Sequence, residues 1–205
     1  MDPKLARYSS LVLSHMDPLP HPPRRVLIAG TSGVGKTTLA RRLAALWNIP
    51  HTELDALHHG PHWTPRPTFA AEARELAAGD EWITEWAYWS KGMKTVLGER
   101  ANTLIWLNFS RPMAFQRLLR RTLKRQILRE RLWHGNVEPP LYTFFTNPEE
   151  NILRWGMRTH GKWIERMPAV SREFPHLSII ELRTPREVRR WLTGPATDLS
   201  PGSAR

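Results

Sequence analysis

Cysteine is absent from the 205-residue chain, which excludes disulfides and every thiolate metal site. Missing as well is any apolar run near the roughly 20 residues that a bilayer-spanning helix needs. The opening "MDPKLARYSSLVLSHMDPLPHPPRR" starts basic, but its apolar centre is only Leu11 to Leu13, too short for a secretory signal. With neither an export signal nor a span, the default expectation is a cytoplasmic protein with no membrane role. No internal repeat is visible. Acids are scarce, 19 Asp and Glu against 30 Lys and Arg, and the resulting charge of +11 implies polyanionic company, nucleotides or nucleic acid. The bland alternative is an arginine-rich composition without a partner behind it.

What is present fits one α/β domain with a substantial core. Residues 1–24, rich in Pro and His, read as a flexible leader in which Met1 or Met16 is the start. Residues 25–192 read as the domain, and 193–205 as a disordered polar tail. Val26 to Ala29 is a short apolar run ending in glycine, the pattern of a buried parallel strand. Leu39, Leu43, Leu46 and Trp47 recur at helical spacing, so Lys36 to Trp47 is a helix closed near Asn48 and Pro50. "HTELDAL" (51–57) reads as a second strand, "EWITEW" (81–86) as a third, "TLIWLNF" (103–109) as a fourth and "HLSIIEL" (176–182) as a fifth. Helices are expected over 69–78, from Pro112 to about Trp133, over 147–167 with Asn147 as cap and Pro148 at its first position, and over 185–192. Strands alternating with helices imply a parallel sheet covered on both faces, with ligands beyond the carboxyl ends of the strands.

"GTSGVGKTT" (30–38) fits G-x-x-x-x-G-K-[ST] at Gly30, Gly35, Lys36 and Thr37, between a strand and a helix. Gly30, Gly33 and Gly35 let successive backbone N–H groups turn inward, so Gly30, Thr31, Ser32, Gly33, Val34, Gly35, Lys36, Thr37 and Thr38 form a phosphate cradle. The helix that follows adds the positive end of its dipole. Lys36 supplies a mobile charge for the outer phosphates, and the Thr37 hydroxyl is a ligand for Mg²⁺. Mg²⁺-nucleotide binding is the firmest inference from sequence.

Two carboxylates follow strands: Glu85, which closes "EWITEW" and suits Mg²⁺ support, and Asp55, which leaves "HTELDAL". A pair of this kind suits phosphoryl transfer, one supporting the metal and the other orienting or deprotonating a hydroxyl, while a loop or cap carboxylate is the plain alternative for Asp55. Between Arg111 and Arg131 the chain carries eight Lys or Arg against one acid, Glu130. Phe115, Leu119, Leu123 and Ile127 repeat every four residues and would line one helical face, with Arg117, Arg120, Arg121 and Lys124 largely on another. Arginine's planar fork suits phosphate oxygens, yet a solvated basic face and nucleic-acid binding explain the same run.

Together these motifs resemble the adenylate-kinase-like P-loop kinases, and most closely the group labelled DNA topology modulation protein, over roughly residues 25–192. The resemblance rests on "GTSGVGKTTLARRLA", "LDALHHGPHW", "EWITEWAYW", "LIWLNFSRPMAFQRLLRRTLKR", "LWHGNVEP", "RTH" at 158–160 and "LRTPREV". It implies the three-layer P-loop NTPase fold, with strand order 2-3-1-4-5, a mobile lid over about 117–134 and a substrate flap over about 55–78. It also implies that Arg117, Arg120 and Arg121 close over the phosphates and that Arg183 to Pro185 lies against the adenine. Where the group has Asp-Gly-Asn-Tyr, this chain has Glu85-Trp86-Ala87-Tyr88, with a large ring in place of glycine.

His58, His59 and His62 cluster without further ligands on a regular element, so loop histidines are the expectation rather than a metal site. Of the ten Trp, Trp82, Trp106, Trp155 and Trp163 are expected in the core, whereas Trp63, Trp86 and Trp89 lie where a base or sugar stacks. The function implied is a Mg²⁺-ATP-dependent phosphotransferase with a small acceptor such as a nucleotide or nucleoside. In it Lys36, Asp55, Arg117, Arg120 and Arg121 act in catalysis, Thr37 and Glu85 organise the metal, and Arg183 and Pro185 border the nucleotide. The rival is a nucleotide-binding regulator that grips DNA or RNA through its basic surface, Arg129 and Arg131 included.

Overall fold

The computed structural model describes residues 12–139 and 152–198, without the side chains of Ile152, Arg154, Trp155 and Met157. Five short strands make one parallel sheet: β1 (Val12–Leu13), β2 (Arg25–Ala29), β3 (Trp82–Glu85), β4 (Thr103–Leu107) and β5 (Ser178–Leu182). Their order is β1-β5-β4-β2-β3, so the cradle strand β2 is central. Alternation along the strands divides the core. Val26, Ile28, Ile105 and Ile180 face one layer, and Leu27, Ala29, Leu104 and Ile179 the other.

The first layer packs against α1 (Lys36–Trp47) through Leu39, Leu43 and Trp47, and against α8 (Pro185–Leu192) through Trp191. The second packs against α3 (Phe69–Ala78), α4 (Met93–Gly98) and α7 (Lys162–Glu173), through Phe69, Leu97, Met167 and Val170. The α/β class, the five-stranded parallel sheet and helices on both faces therefore stand as the sequence implied.

The expected strand order holds for its last four members, β3-β2-β4-β5, and fails at the edge given to 51–57. Residues 51–57 contribute a single bridge, His51 beside Ile83, and then turn into the short helix α2 (Leu54–His58). Pairing stops because the Thr84 hydroxyl bonds to the Thr52 carbonyl and the next residues close a helical turn on Glu53. The fifth strand comes instead from the stretch read as a leader: Val12 and Leu13 pair with Ile179 and Ile180, and Leu19 is buried. Beyond α8, Ala196 is buried and accepts a hydrogen bond from Trp47 Nε1 at 2.9 Å, so order runs past the expected boundary at 193. Residues 1–11 and 199–205 lie outside the described residues, as do Asn147, Pro148 and the Trp155 side chain.

The basic segment forms α5 (Arg111–Ile127), but its inward face is Ala114, Leu118 and Thr122. The apolar row read as the packing face is half-buried at Phe115 and Leu119, then opens to solvent, with Leu123 37% and Ile127 79% exposed. Close approach decides this. Leu118 fits against Gly33 of the cradle and Gly156 of α6 (Ile152–Thr159), and a Cβ on either would come within 2.6 Å of it. The helix expected over 147–167 is interrupted after Thr159, and α7 restarts beyond Gly161.

Candidate active site

The carboxyl ends of β2 and β3 open into a cleft of about 1660 Å³. On one side lies the cradle. Gly33 (φ 85°) and Gly35 (φ 103°) hold left-handed backbone that a side chain would strain, and Gly35 leads into α1. Lys36 Nζ donates to the Thr31 carbonyl at 3.0 Å, which holds the ammonium across the loop. Burial lowers its pKa, and the Glu85 and Asp55 carboxylates oppose that shift, so both acids lie within electrostatic reach of it.

Glu85 ends β3 and is 7% exposed. Burial raises its pKa, but the neighbouring His51 imidazole, the Thr37 hydroxyl and the Lys36 charge outweigh burial and hold the carboxyl below its usual range. His51 Nε2 stands 3.4 Å from Glu85 Oε1 without the alignment of a hydrogen bond, and that oxygen has no donor. A buried carboxylate oxygen lacking a donor, beside a threonine hydroxyl, is the hard oxygen set that Mg²⁺ takes alongside phosphate oxygens. The residues present fit the ion. Among the described residues no group of three His, Cys, Asp or Glu forms a metal centre of its own.

The opposite lip starts at α2. Asp55 Oδ1 accepts a 2.6 Å hydrogen bond from the Tyr88 hydroxyl, which also lies 3.1 Å from His59 Nε2. Burial, the Asp55 charge and this hydrogen bond push the Tyr88 pKa upward, so the phenol keeps its proton and donates it to Asp55. His58 is not a loop residue: it ends α2, is buried, and stacks on Tyr88 with centroids 4.3 Å apart. Burial, then the neighbouring His59 and Lys91, lower its pKa.

Trp86, read as a stacking surface, borders the cleft but is not free to stack. It is 1% exposed and packs against Trp89, Trp163 and Phe174. Gly98 makes the room, since a Cβ there would meet Phe174 at 2.7 Å and Trp86 at 3.0 Å. Trp63 and Trp89 line the cleft as well.

The roof comes from α5 and the loop after it. Arg117 lies against the cradle, its Nη2 3.0 Å from where a Gly35 Cβ would stand. Arg120, Arg121 and Arg125 also line the cleft. Arg121 has its pKa lowered by burial and by Arg125, while Glu138 and Asp55 oppose the shift. Lip and roof touch: Trp133 Nε1 donates to Glu53 Oε2 at 3.0 Å, and the Trp133 ring stacks on His59 at 6.0 Å.

Of the residues singled out in the sequence, the cleft gathers Gly30, Thr31, Ser32, Gly33, Gly35, Lys36, Thr37, Thr38, Asp55, Glu85, Arg117, Arg120 and Arg121. Val34 is buried in the core behind the loop, and Arg183 and Pro185 stay outside the lining. Arg183 pairs with Glu181 at 2.8 Å, and Pro185 is the first residue of α8. Sequence reasoning gave no role to His51, His59, Arg125, Trp133 or Glu138. The motifs quoted for the resemblance contain all of these but His51, yet they give none an individual role, because each acts through a partner outside its own motif or turn.

No family model matches the chain, and no curated protein matches it. Solved structures are similar at low identity. A gluconokinase from Sinorhizobium meliloti 1021 is 19% identical over 85% of this chain and 92% of its own, with a TM-score of 0.48. A shikimate kinase from Acinetobacter baumannii in complex with shikimate is 17% identical over 96% and 92%, with a TM-score of 0.47. A shikimate kinase from Bacteroides thetaiotaomicron is 14% identical over 83% and 95%, with a TM-score of 0.43. At these TM-scores the likeness decides nothing about activity, which is argued from the residues of the cleft. None of the three carries the DNA topology modulation label.

Proposed function

We propose that the chain is a Mg²⁺-ATP-dependent phosphotransferase acting on the hydroxyl of a small acceptor, with nucleotides and nucleosides as the leading class. One observation carries the proposal: a single cleft gathers a phosphate cradle, a hydroxyl–carboxylate pair, a second carboxylate on the facing lip, and a roof of arginines. A nucleotide switch has no use for that facing carboxylate.

In this reading the cradle amides and Lys36 hold the outer phosphates, and Thr37 and Glu85 would hold Mg²⁺. When bound, the ion offsets the phosphate charge. Asp55, one oxygen already engaged by Tyr88, orients the acceptor hydroxyl with the other and takes its proton. The acceptor oxygen bonds to the γ-phosphorus as the bond from that phosphorus to the oxygen bridging to ADP breaks. Arg117, Arg120 and Arg121 balance the charge spread over the equatorial oxygens. The roof limits access of water to the transferring group. The resemblance alone assigns Arg183 and Pro185 to adenine, and their place outside the cleft lining lends that no support.

Calorimetry with AMP-PNP, with and without Mg²⁺, tests the cradle, and saturable Mg²⁺-dependent binding is expected. A screen of nucleosides, nucleotides and sugars with ATP then tests transfer. Binding without phosphorylation of any acceptor contradicts the transferase.

The rival reading, a nucleic-acid grip, is the weaker one because Arg117, Arg120, Arg121 and Arg125 turn into the cleft, where polyphosphate and not a duplex would meet them. Arg131 also lines the cleft, so only Arg129 tests the rival cleanly. Duplex binding that falls steeply with salt and is lost in Arg129→Glu at unchanged AMP-PNP affinity would favour it.

A further inference from the structure

Glu138 has no part in the mechanism above, yet it sits in the roof of the cleft with its side chain only 10% exposed. Its Oε1 accepts a 2.6 Å hydrogen bond from Arg125 Nη1 and stands 4.0 Å from Arg121 Nη2. Its Oε2 is buried and receives no hydrogen bond, and Arg121 Nε is buried without an acceptor. Arg121 is also within electrostatic reach of Lys36 and Asp55, which places its charge beside the zone where phosphate would pass from nucleotide to acceptor. A planar anion between two guanidinium groups is the arrangement that a phosphate oxygen pair offers. Here the chain supplies it from within.

The same short segment also holds the acceptor lip. Asn136, itself buried, accepts from the Trp63 backbone N–H at 3.1 Å and donates to the Gly60 carbonyl at 2.8 Å. The Val137 carbonyl accepts from Trp63 Nε1 at 3.3 Å. Three consecutive residues thus carry two kinds of contact, one to the arginines of the roof and one to the lip that continues from Asp55.

We infer that Glu138 is a built-in stand-in for ligand phosphate, holding Arg121 and Arg125 over the cleft until polyphosphate takes them. Its release, passed through Asn136 and Val137, frees the lip at Gly60 to Trp63 for the acceptor. Glu138 is therefore a positioning residue, and its carboxylate competes with the nucleotide for the same two guanidinium groups. The inference rests on the phosphotransferase reading for the identity of the displacing anion.

Removing the competitor should strengthen nucleotide binding, the opposite of what loss of a merely structural contact does. Glu138→Gln keeps the shape and removes the charge. By calorimetry it is expected to bind Mg²⁺-AMP-PNP about tenfold tighter than wild type, with a lower Tm because Arg121 loses its neighbouring carboxylate and Arg125 keeps only Glu130, at 3.8 Å. Glu138→Asp, which keeps the charge but withdraws it, should shift affinity the same way by less. Hydrogen exchange reads the second half: Mg²⁺-AMP-PNP should speed exchange of the Trp63 amide in wild type. In Asn136→Ala that amide should exchange fast with or without nucleotide, and AMP-PNP should bind somewhat tighter because nucleotide no longer has to release the lip. Unchanged or weaker affinity in both Glu138 variants overturns the stand-in. A Trp63 amide that nucleotide protects or leaves alone overturns the link to the lip. If wild type binds AMP-PNP and these tests fail, the phosphotransferase survives and only this inference falls; if wild type binds none, both fall.

Discussion

The cradle and the acceptor lip face each other across one cleft, and both need backbone in the left-handed region, but they reach it by opposite means. The cradle places glycine there, at Gly33 and Gly35. The acceptor side places Trp63 (φ 59°) and Tyr88 (φ 55°) there, both lining the cleft, where an L side chain costs about 1–2 kcal/mol each. A glycine loop shapes its site with backbone amides and is indifferent to side chains. The acceptor side tolerates strain because its rings and hydroxyl must point inward, and strain of that sort gathers at functional sites. The contrast separates a general phosphate grip from a specific pocket.

The largest effect that would break this division is at Asp55. Asp55→Asn should cut phosphotransfer by about 10²–10³-fold while Mg²⁺-AMP-PNP affinity stays within about twofold, measured by steady-state kinetics beside calorimetry. An equal loss of affinity would mean that the two sides are not separable. Next comes Gly33→Ala, whose Cβ would stand 2.6–2.8 Å from the Cβ, Cα and N of Leu118 at a φ of 85°. A loss of about 2–5 kcal/mol in unfolding free energy is expected, with weaker AMP-PNP binding, by denaturant titration and calorimetry.

Acid should part the two sides. The lowered pKa of His58 means that the folded form resists a proton which the unfolded chain accepts, so stability falls as pH drops below about 6.5. The lowered pKa of Glu85 has the same sign but acts only below about 4.3, where the unfolded carboxyl takes its proton first. Hydrogen-exchange protection factors, corrected for the intrinsic rate at each pH, should therefore fall at pH 5.5 against pH 7.5 around α2 before they fall around the cradle, and His58→Leu should remove the upper step. The smallest effect sharpens the strain argument. His134→Gly, at a solvent-exposed φ of 55°, should raise stability by about 0.5 kcal/mol.

The same contrast explains what the sequence made legible. Cradle, helix and central strand are contiguous, and their glycine spacing and apolar periodicity announce them. Glu85 and Asp55 were visible as acids following apolar runs, although Asp55 was assigned to the end of a strand and sits on a helix. The pairing of 51–57 fails for a reason no local pattern carries: one residue bridges to Ile83, and the edge is filled from Val12 and Leu13 at the other side of the sheet. The burial of Trp86 is not legible in sequence because its pocket depends on Gly98, twelve positions away. The inward face of α5 was misjudged since periodicity favours large residues, whereas tight packing on Gly33 and Gly156 selected Ala114, Leu118 and Thr122. Glu138 and Asn136 lie in the quoted "LWHGNVEP", but their contacts emerge only where lip and roof meet.

The seat of Leu118 between Gly33 and Gly156 also constrains how the molecule can change over generations. A methyl added at 156 collides with the tip of that leucine, so alanine there becomes tolerable only after position 118 has shrunk. At position 33 the left-handed backbone still forbids it. Three sites on three separate elements must therefore drift in a set order, and a lineage that lost the leucine first would keep the cradle glycine while gaining freedom in α6.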